Sequence, residues 1–506
     1  MVACIKTVQP DIVDGSIITI EADVSRGLHS FSVIGLAGKS VEEAKDRLSS
    51  ALKQSGYESP KSKNQKIIIS LSPADLRKEG TLFDLPMALV YLLAIKKIKV
   101  SDTKRIYLGE LGLDGNLKPT KGILNAVINA KKFGFKEVVV PKENAQEAAL
   151  VSGIKVKPAK SLLEVINHIN IDGDKTITIP TQPETKLNNH ASHNQALLED
   201  IKGQESAKRG LIIAAAGRHN VMLVGPPGTG KTMLARVLPS LLPPLSKEEA
   251  LEVMSIHSMF DRNFQISNQP PFRSPHHSAS HSSLVGGGTI PRPGEVTLSH
   301  RGVLFMDEFP EFDRRSLDVL RQPLEDKIVN ISRVNRTVQF PANFILIAAL
   351  NPYRGQEDGT QNLLRAMNET YKNKISGPIL DRIDIWLEVT HVPQEFLLKN
   401  TPTTSNETDE AKKQIKFARE NQEKRFVDKN ITNSDLTARE IEKYIPLSPE
   451  IMSILENSIK QLNLSPRSFH RLLKVARTIA DLDNEKNIKT SHVLEALQYK
   501  VPNQNQ

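Results

Sequence analysis

VMLVGPPGTGKTMLARVL, residues 221–238, decides the fold of this chain. Val221–Val224 reads as a short buried strand and Met233–Leu238 as a helical run. Between them Gly225, Pro226, Pro227, Gly228, Thr229, Gly230, Lys231 and Thr232 match G-x-x-x-x-G-K-[ST] in the strand–loop–helix context that the pattern requires. The glycines let backbone N–H groups turn inward around phosphate oxygens, and the helix start adds its positive end. Lys231 supplies a charge for the β- and γ-phosphates, and Thr232 a hydroxyl for Mg²⁺. ATP with Mg²⁺ is the expected cofactor. A second string, GLAGKS at 35–40, also ends in G-K-S, but its glycines are too close to wrap a phosphate. It reads as a turn and a helix cap.

Downstream, VLFM at 303–306 runs into Asp307 and Glu308. A buried strand ending in Asp places a carboxylate beside the phosphate loop, where Asp307 supports the metal with Thr232. Glu308 is placed to polarise the attacking water. A third strand, Phe344–Leu350, ends at Asn351, a polar group suited to orienting that water. Arg382, in LDRID before a fourth strand at Ile385–Val389, can reach a neighbouring subunit's γ-phosphate as an arginine finger. Arg467, at a helix start in LSPRSFHRLL, can touch the nucleotide from a lid.

The chain has 506 residues, which suggests about three domains at roughly 150 residues each. The expected fold class is α/β. Residues 1–169 read as a mixed α/β domain, with strands at Ile67–Leu71 and Glu137–Val140 and helices at Leu85–Ala94 and Ile123–Lys132. Residues 170–198 form a polar linker. Residues 199–392 alternate strand and helix, the pattern of a parallel sheet. A second break, 393–410, precedes a helical domain at 411–506.

Composition sets the surroundings. Lys and Arg number 67 against 58 Asp and Glu, a net charge of +9 that permits a polyanionic partner. A single cysteine, Cys4, excludes a disulfide scaffold and fits a reducing compartment. No apolar run reaches the about 18 residues of a membrane helix. The N-terminus has no signal-peptide core, so a cytoplasmic protein without a membrane partner is expected.

PFRSPHH (271–277), VGGG (285–288), PRPGEVTLSHRGVLFMDE (291–308), SGPILDRIDIWLEV (376–389) and LSPRSFHRLLKVARTIADL (464–482) together resemble the YifB/ComM family of magnesium-chelatase-like AAA+ ATPases. The likeness covers nearly the whole chain outside the two breaks. It implies an AAA+ core with a helical lid and a homo-oligomer, a hexameric ring with ATP bound between subunits. ComM-type members are branch-migration helicases of natural transformation. The resemblance therefore implies DNA, single-stranded or branched, as partner. The first block also resembles the Lon protease domain, in KEGTLFDLPMALVYLLA (78–94), GELGLDGNLKPTKGILNAV (109–127) and VVVPKENAQEA (138–148). That likeness puts Leu82 at the nucleophile position and Leu124 at the base position. Neither side chain can attack a carbonyl or take a proton, so the fold is expected without its protease activity. Many relatives carry cysteines after the asparagine that Asn351 matches. This chain has NPYRGQ there, so any role of those cysteines is absent.

IVNISRVNRTVQF (328–340) reads as a hairpin with its turn near Arg333–Arg336. In related rings such a hairpin faces the pore, where Arg333 and Arg336 can hold DNA phosphates without reading sequence. His276, His277 and His281 invite a metal reading, but Pro275, the Ser-rich surroundings and the absence of acids argue against it, and the family resemblance implies a remodelling or pore-facing loop there. Trp386 reads as core. The rival functions are a chelatase-type motor acting on a protein or tetrapyrrole partner, an ATP-dependent protease, and an ATP-binding scaffold. Leu82 and Leu124 weigh against the protease, Glu308 against the scaffold, and the fused first domain against the chelatase.

Overall fold

The computed structural model describes residues 2–12, 15–100, 104–171, 178–187, 196–261, 264–288, 292–333, 336–351, 375–392, 406–426, 431–462 and 465–500. The chain divides into two units, Met1–Asn188 with Lys247–Asn268, and Asn189–Ser246 with Gln269–Gln506.

In the first unit β1 (Ala3–Gln9), β2 (Ser16–Arg26), β3 (Ser30–Ile34) and β4 (Gln65–Ser72) form a sheet in the order β1-β2-β4-β3. Alternation along β4 buries Ile67, Ile69 and Leu71 on one face, as a half-buried strand requires. The helix Asp84–Ala94, apolar nearly all round, packs on β1 and β2. Further on, β5 (Arg105–Tyr107) is followed by a small antiparallel ribbon of β6 (Glu110–Leu111) and β7 (Leu117–Lys118). β8 (Glu137–Pro141) and β9 (Lys155–Ala159) then join β5 in a parallel sheet. The expected helices and strands of this region all form, within one or two residues of their expected ends. GLAGKS is a turn and cap, with Gly38 as N-cap of the helix Lys39–Gln54. Leu82 and Leu124 are buried.

Two segments differ in placement from the expected linear order. Residues 178–187, inside the expected linker, lie along this unit. Gln182 N–H donates to the Val156 carbonyl at 2.9 Å and Lys157 Nζ to the Ile179 carbonyl at 2.7 Å. Ile179 is buried, and one apolar anchor in a polar stretch suffices to dock it. The helix Lys247–Ser258, expected within the ATPase block, packs instead against the helix Ile123–Lys132. Ser258 Oγ donates to Asn125 Oδ1 at 3.1 Å there.

The second unit is built on a five-stranded parallel sheet. β10 (Val221–Val224) comes first, then the edge strand β11 (Phe272–Arg273). β12 (Gly286–Gly287) and β13 (Arg292–Pro293) form a separate short ribbon. β14 (Val303–Met306) follows, then a hairpin of β15 (Ile328–Arg333) and β16 (Arg336–Pro341). β17 (Ile345–Leu350) and β18 (Ile385–Glu388) complete the sheet in the order β11-β14-β17-β10-β18. Every residue of β10, β14 and β17 is buried, which is why these runs are continuously apolar rather than alternating. Two residues of β11 are too few for a sequence pattern to reveal.

The C-terminal helices Glu407–Arg425, Pro449–Leu462, Pro466–Leu482 and Thr490–Gln498 share one apolar core with the sheet and the helix Glu205–Gly217. Trp386 is half-buried in β18, its backbone N–H donating to the Tyr499 carbonyl at 2.9 Å. No helix among the described residues is long and apolar enough to cross a membrane.

Candidate nucleotide site

Because the strands are parallel, Gly225, Asp307 and Asn351 all follow strand ends at one edge of the sheet. That carboxyl edge is where open α/β sheets bind ligands. β17 lies between β10 and β14, so Asn351 leaves the sheet between the phosphate loop and the acids. Asn351 is half-buried.

The loop is tight. Gly225 N–H donates to the Leu350 carbonyl at 3.2 Å, and Thr229 Oγ1 to the Pro226 carbonyl at 2.9 Å. Gly230 has φ +91°, a conformation that costs glycine little, and caps the helix Lys231–Leu241. Lys231 is buried and its Nζ donates to the Gly225 and Pro226 carbonyls, both at 2.7 Å. Burial pushes its amine below the usual lysine range, against the pull of the Asp307 charge. An amine under that penalty gains from an anion brought to it.

Thr232 Oγ1 donates to Asp307 Oδ2 at 3.1 Å, joining the two expected metal-supporting groups. A hydroxyl and a carboxylate oxygen side by side are hard donors that fit Mg²⁺. The Asp307 carboxylate also accepts the Glu308 N–H at 2.9 Å. Glu308 sits at φ +49°, a left-handed backbone uncommon outside glycine. Its Oε2 lies 3.2 Å from Nδ1 of His277. Sequence reading had no means to pair these two, since neither motif spacing nor periodicity links them. Among the described residues no group of three His, Cys, Asp or Glu is arranged to hold a metal.

The two arginines stand apart from this cluster. Arg382 precedes β18, which runs parallel to β10, so it lies at the opposite, amino edge of the sheet. Its carbonyl accepts from Asn220 Nδ2 at 2.9 Å, just before β10. Its guanidinium donates to the Pro378 carbonyl at 2.5 Å and pairs with Glu325. Arg467 is exposed at the start of Pro466–Leu482. One turn on, Arg471 Nη1 donates to the Ile383 carbonyl at 2.7 Å, and this contact also escaped the sequence. The hairpin forms as expected, with Arg333 opposite Arg336. The side chains of 332–337, and all of 352–374 with the cysteine-free stretch, lie outside the described residues.

Comparison with known proteins covers most of the chain. Residues 197–397 match the family described as magnesium chelatase, subunit ChlI, and residues 405–500 its C-terminal counterpart. Residues 20–144 match a family described as subunit ChlI of Mg-chelatase, so the first unit alone does not argue against a chelatase. The competence protein ComM of Haemophilus influenzae is 42% identical over 97% of this chain and 95% of its own length. YifB of Escherichia coli is 42% identical over 96% of this chain and 94% of its own. The 67 kDa magnesium-chelatase subunit of Heliobacterium mobile aligns at 31% identity over only 32% of this chain. Sheet, loop and relatives together support an AAA+ ATPase that uses nucleotide and Mg²⁺.

Proposed function

The chain belongs to the magnesium-chelatase-like family that contains ComM and YifB, and from that membership we propose an ATPase that couples hydrolysis to movement on, or remodelling of, DNA. The observation that carries the ATPase part of this reading is the Thr232–Asp307 contact beside the buried Lys231, at the carboxyl edge of the sheet; the DNA part rests on the resemblance to ComM. Lys231 and the loop amides hold the β- and γ-phosphates. Thr232 and Asp307 hold Mg²⁺, which when bound neutralises the phosphate charge. Glu308 takes a proton from the attacking water and Asn351 aligns it.

Arg382 lies at the amino edge of the sheet by the topology of β18, away from its own phosphate loop, so it serves a neighbouring copy in a ring, a hexamer on the family's pattern, while Arg467 couples the lid to the nucleotide. Arg333 and Arg336 of the hairpin hold DNA phosphates. The N-terminal unit is a Lon-like fold without a protease dyad, used for assembly or DNA contact, and the C-terminal helices form the lid. A second reading, a chelatase-type motor, draws on the family descriptions, but the relatives aligned over nearly their whole length include ComM and YifB, while the chelatase subunit of Heliobacterium mobile aligns over 29% of its own.

Steady-state ATPase assays without DNA, with single strands and with a four-way junction test this. Lys231→Ala should abolish turnover, and Glu308→Gln should lower kcat by about 100-fold or more while keeping ATP bound. Stimulation by DNA supports the motor on DNA. Hydrolysis indifferent to DNA at low salt would leave the ATPase and sink the DNA assignment.

A further inference from the structure

Charge is spread unevenly along this chain. Residues 1–169 hold 25 Lys and Arg against 18 Asp and Glu, so +7 of the net +9 lies in the first third of the sequence. Part of it gathers at one edge of the parallel sheet of β5, β8 and β9. Lys104 immediately precedes β5, Lys136 immediately precedes β8, and Lys155 opens β9. Because these strands are parallel, all three lysines lie at the amino edge. The Lys136 N–H donates to the Lys104 carbonyl and the Lys155 N–H to the Lys136 carbonyl, both at 2.9 Å. Neighbouring strands are about 5 Å apart, so the three stand in a row. The helix Ile123–Lys132 ends at the same edge before β8 and adds Lys131 and Lys132 in its last turn. A Cβ placed on Gly153 would lie 3.7 Å from Lys131 Nζ, which puts that ammonium beside the start of β9. All five lysines are exposed.

A helix end attracts cations, which accounts for Lys131 and Lys132 but not for the three at strand starts. Acids in these segments do not balance the charge. Among the described residues 104–105, 131–137 and 153–155 the one acid is Glu137. Its carboxylate is turned inward, 13% exposed; it pairs with Arg105 and lies 3.5 Å from His168 Nε2. The same edge carries an aromatic ring that the core does not use. In Phe133-Gly134-Phe135 the second ring is buried, and the first is 39% exposed. Gly134, at φ +81°, makes the turn between them. Ammonium groups in a row suit a chain of phosphates better than one small anion, and an exposed ring among them suits an unpaired base. Lysines are point charges without a bidentate fork, so they hold phosphate and read no sequence.

We propose that this amino edge of the β5–β8–β9 sheet docks single-stranded DNA, with Lys104, Lys131, Lys132, Lys136 and Lys155 on the phosphates and Phe133 against a base. The proposal rests on the reading of DNA as partner. It gives the N-terminal unit a contact of its own, in addition to Arg333 and Arg336.

The test measures fluorescence anisotropy of labelled oligo-dT and of a labelled duplex with the full-length protein, at several salt concentrations. Lys131, Lys132, Lys136 and Lys155 are replaced together by Gln, and in a second variant together by Arg. The glutamine set is expected to weaken single-strand binding about tenfold or more and to lower the slope of log K against log salt by about 2. The arginine set should bind within about threefold of wild type. A control set, Lys413, Lys416, Lys424 and Lys443 to Gln, removes the same charge from exposed positions elsewhere and should bind within about twofold. Phe133→Leu should weaken the single strand about fivefold and the duplex less than twofold, since only an unpaired base can stack. Matching unfolding temperatures show that each variant folds. Wild-type affinity and slope in the glutamine set, an equal loss in the control or arginine set, or an equal effect of Phe133→Leu on both DNAs would each overturn the proposal. If the glutamine set binds like wild type while Arg333→Ala with Arg336→Ala does not, the proposal fails and the DNA reading stands. If wild type binds neither DNA at low salt, the DNA reading itself has failed, and the proposal with it.

Discussion

Gly225 sits where no side chain fits. A Cβ there would come within 2.0 Å of the Val389 carbonyl oxygen, because the chain leaving β10 passes directly over the end of β18. Gly225→Ala is therefore expected to displace the loop and destabilise the protein by about 1–3 kcal/mol, the usual cost of overpacking. Thermal unfolding and ATP affinity should fall together. The neighbouring candidate residues were readable from sequence because their pattern is local: eight consecutive residues make the loop, and two acids end a strand. The approach of His277 to Glu308 was not readable, because it is made only when β11 and β14 pair.

At the scale of elements, the hairpin was legible from alternation. Val329, Ile331, Val338 and Phe340 point to one buried face, leaving the tip to charged residues. If Arg333 and Arg336 hold phosphates, replacing both by alanine should weaken DNA binding irrespective of sequence. It should also lower the slope of log K against log salt by about 2. A binding titration at several salt concentrations checks this.

The C-terminal helices carry a different signature. Lys500 Nζ donates to the Ser468 carbonyl at 2.6 Å, and burial, with the Arg471 charge beside it, pushes its amine down to about 7. A lysine lowered on folding binds fewer protons in the native than in the unfolded chain between that value and its ordinary one. Stability should rise with pH above about 7 by this contribution. Unfolding temperatures measured from pH 7 to 9 should climb less in Lys500→Met than in wild type. The partial exposure of Lys500 keeps the effect small.

Across the whole molecule, the placement of Arg382 bears on the proposed ring. It lies at the amino edge of the sheet while the phosphate loop lies at the carboxyl edge, so the proposed arginine finger would complete the site of a second copy. Arg382→Ala and Lys231→Ala, each inactive alone, should regain partial ATPase activity when mixed, because some interfaces then pair an intact loop with an intact arginine. Absence of any recovery under conditions of subunit exchange would count against a shared site. The excursion Lys247–Asn268 belongs to the same scale. The chain leaves the second unit soon after the helix that follows the phosphate loop and returns just before β11.

By itself the sequence determined the local chemistry: the loop, Asp307, Glu308, the apolar strands and the hairpin. Each is a pattern of neighbours, written within a few residues and read by periodicity or spacing. Tertiary structure alone decided which strands became neighbours, that Arg382 faces away from its own loop, that 247–268 packs with the first unit, and that His277 meets Glu308. The physical reason is that such contacts depend on strand order and burial. Apolar patterning encodes that a face is buried, but not what buries it.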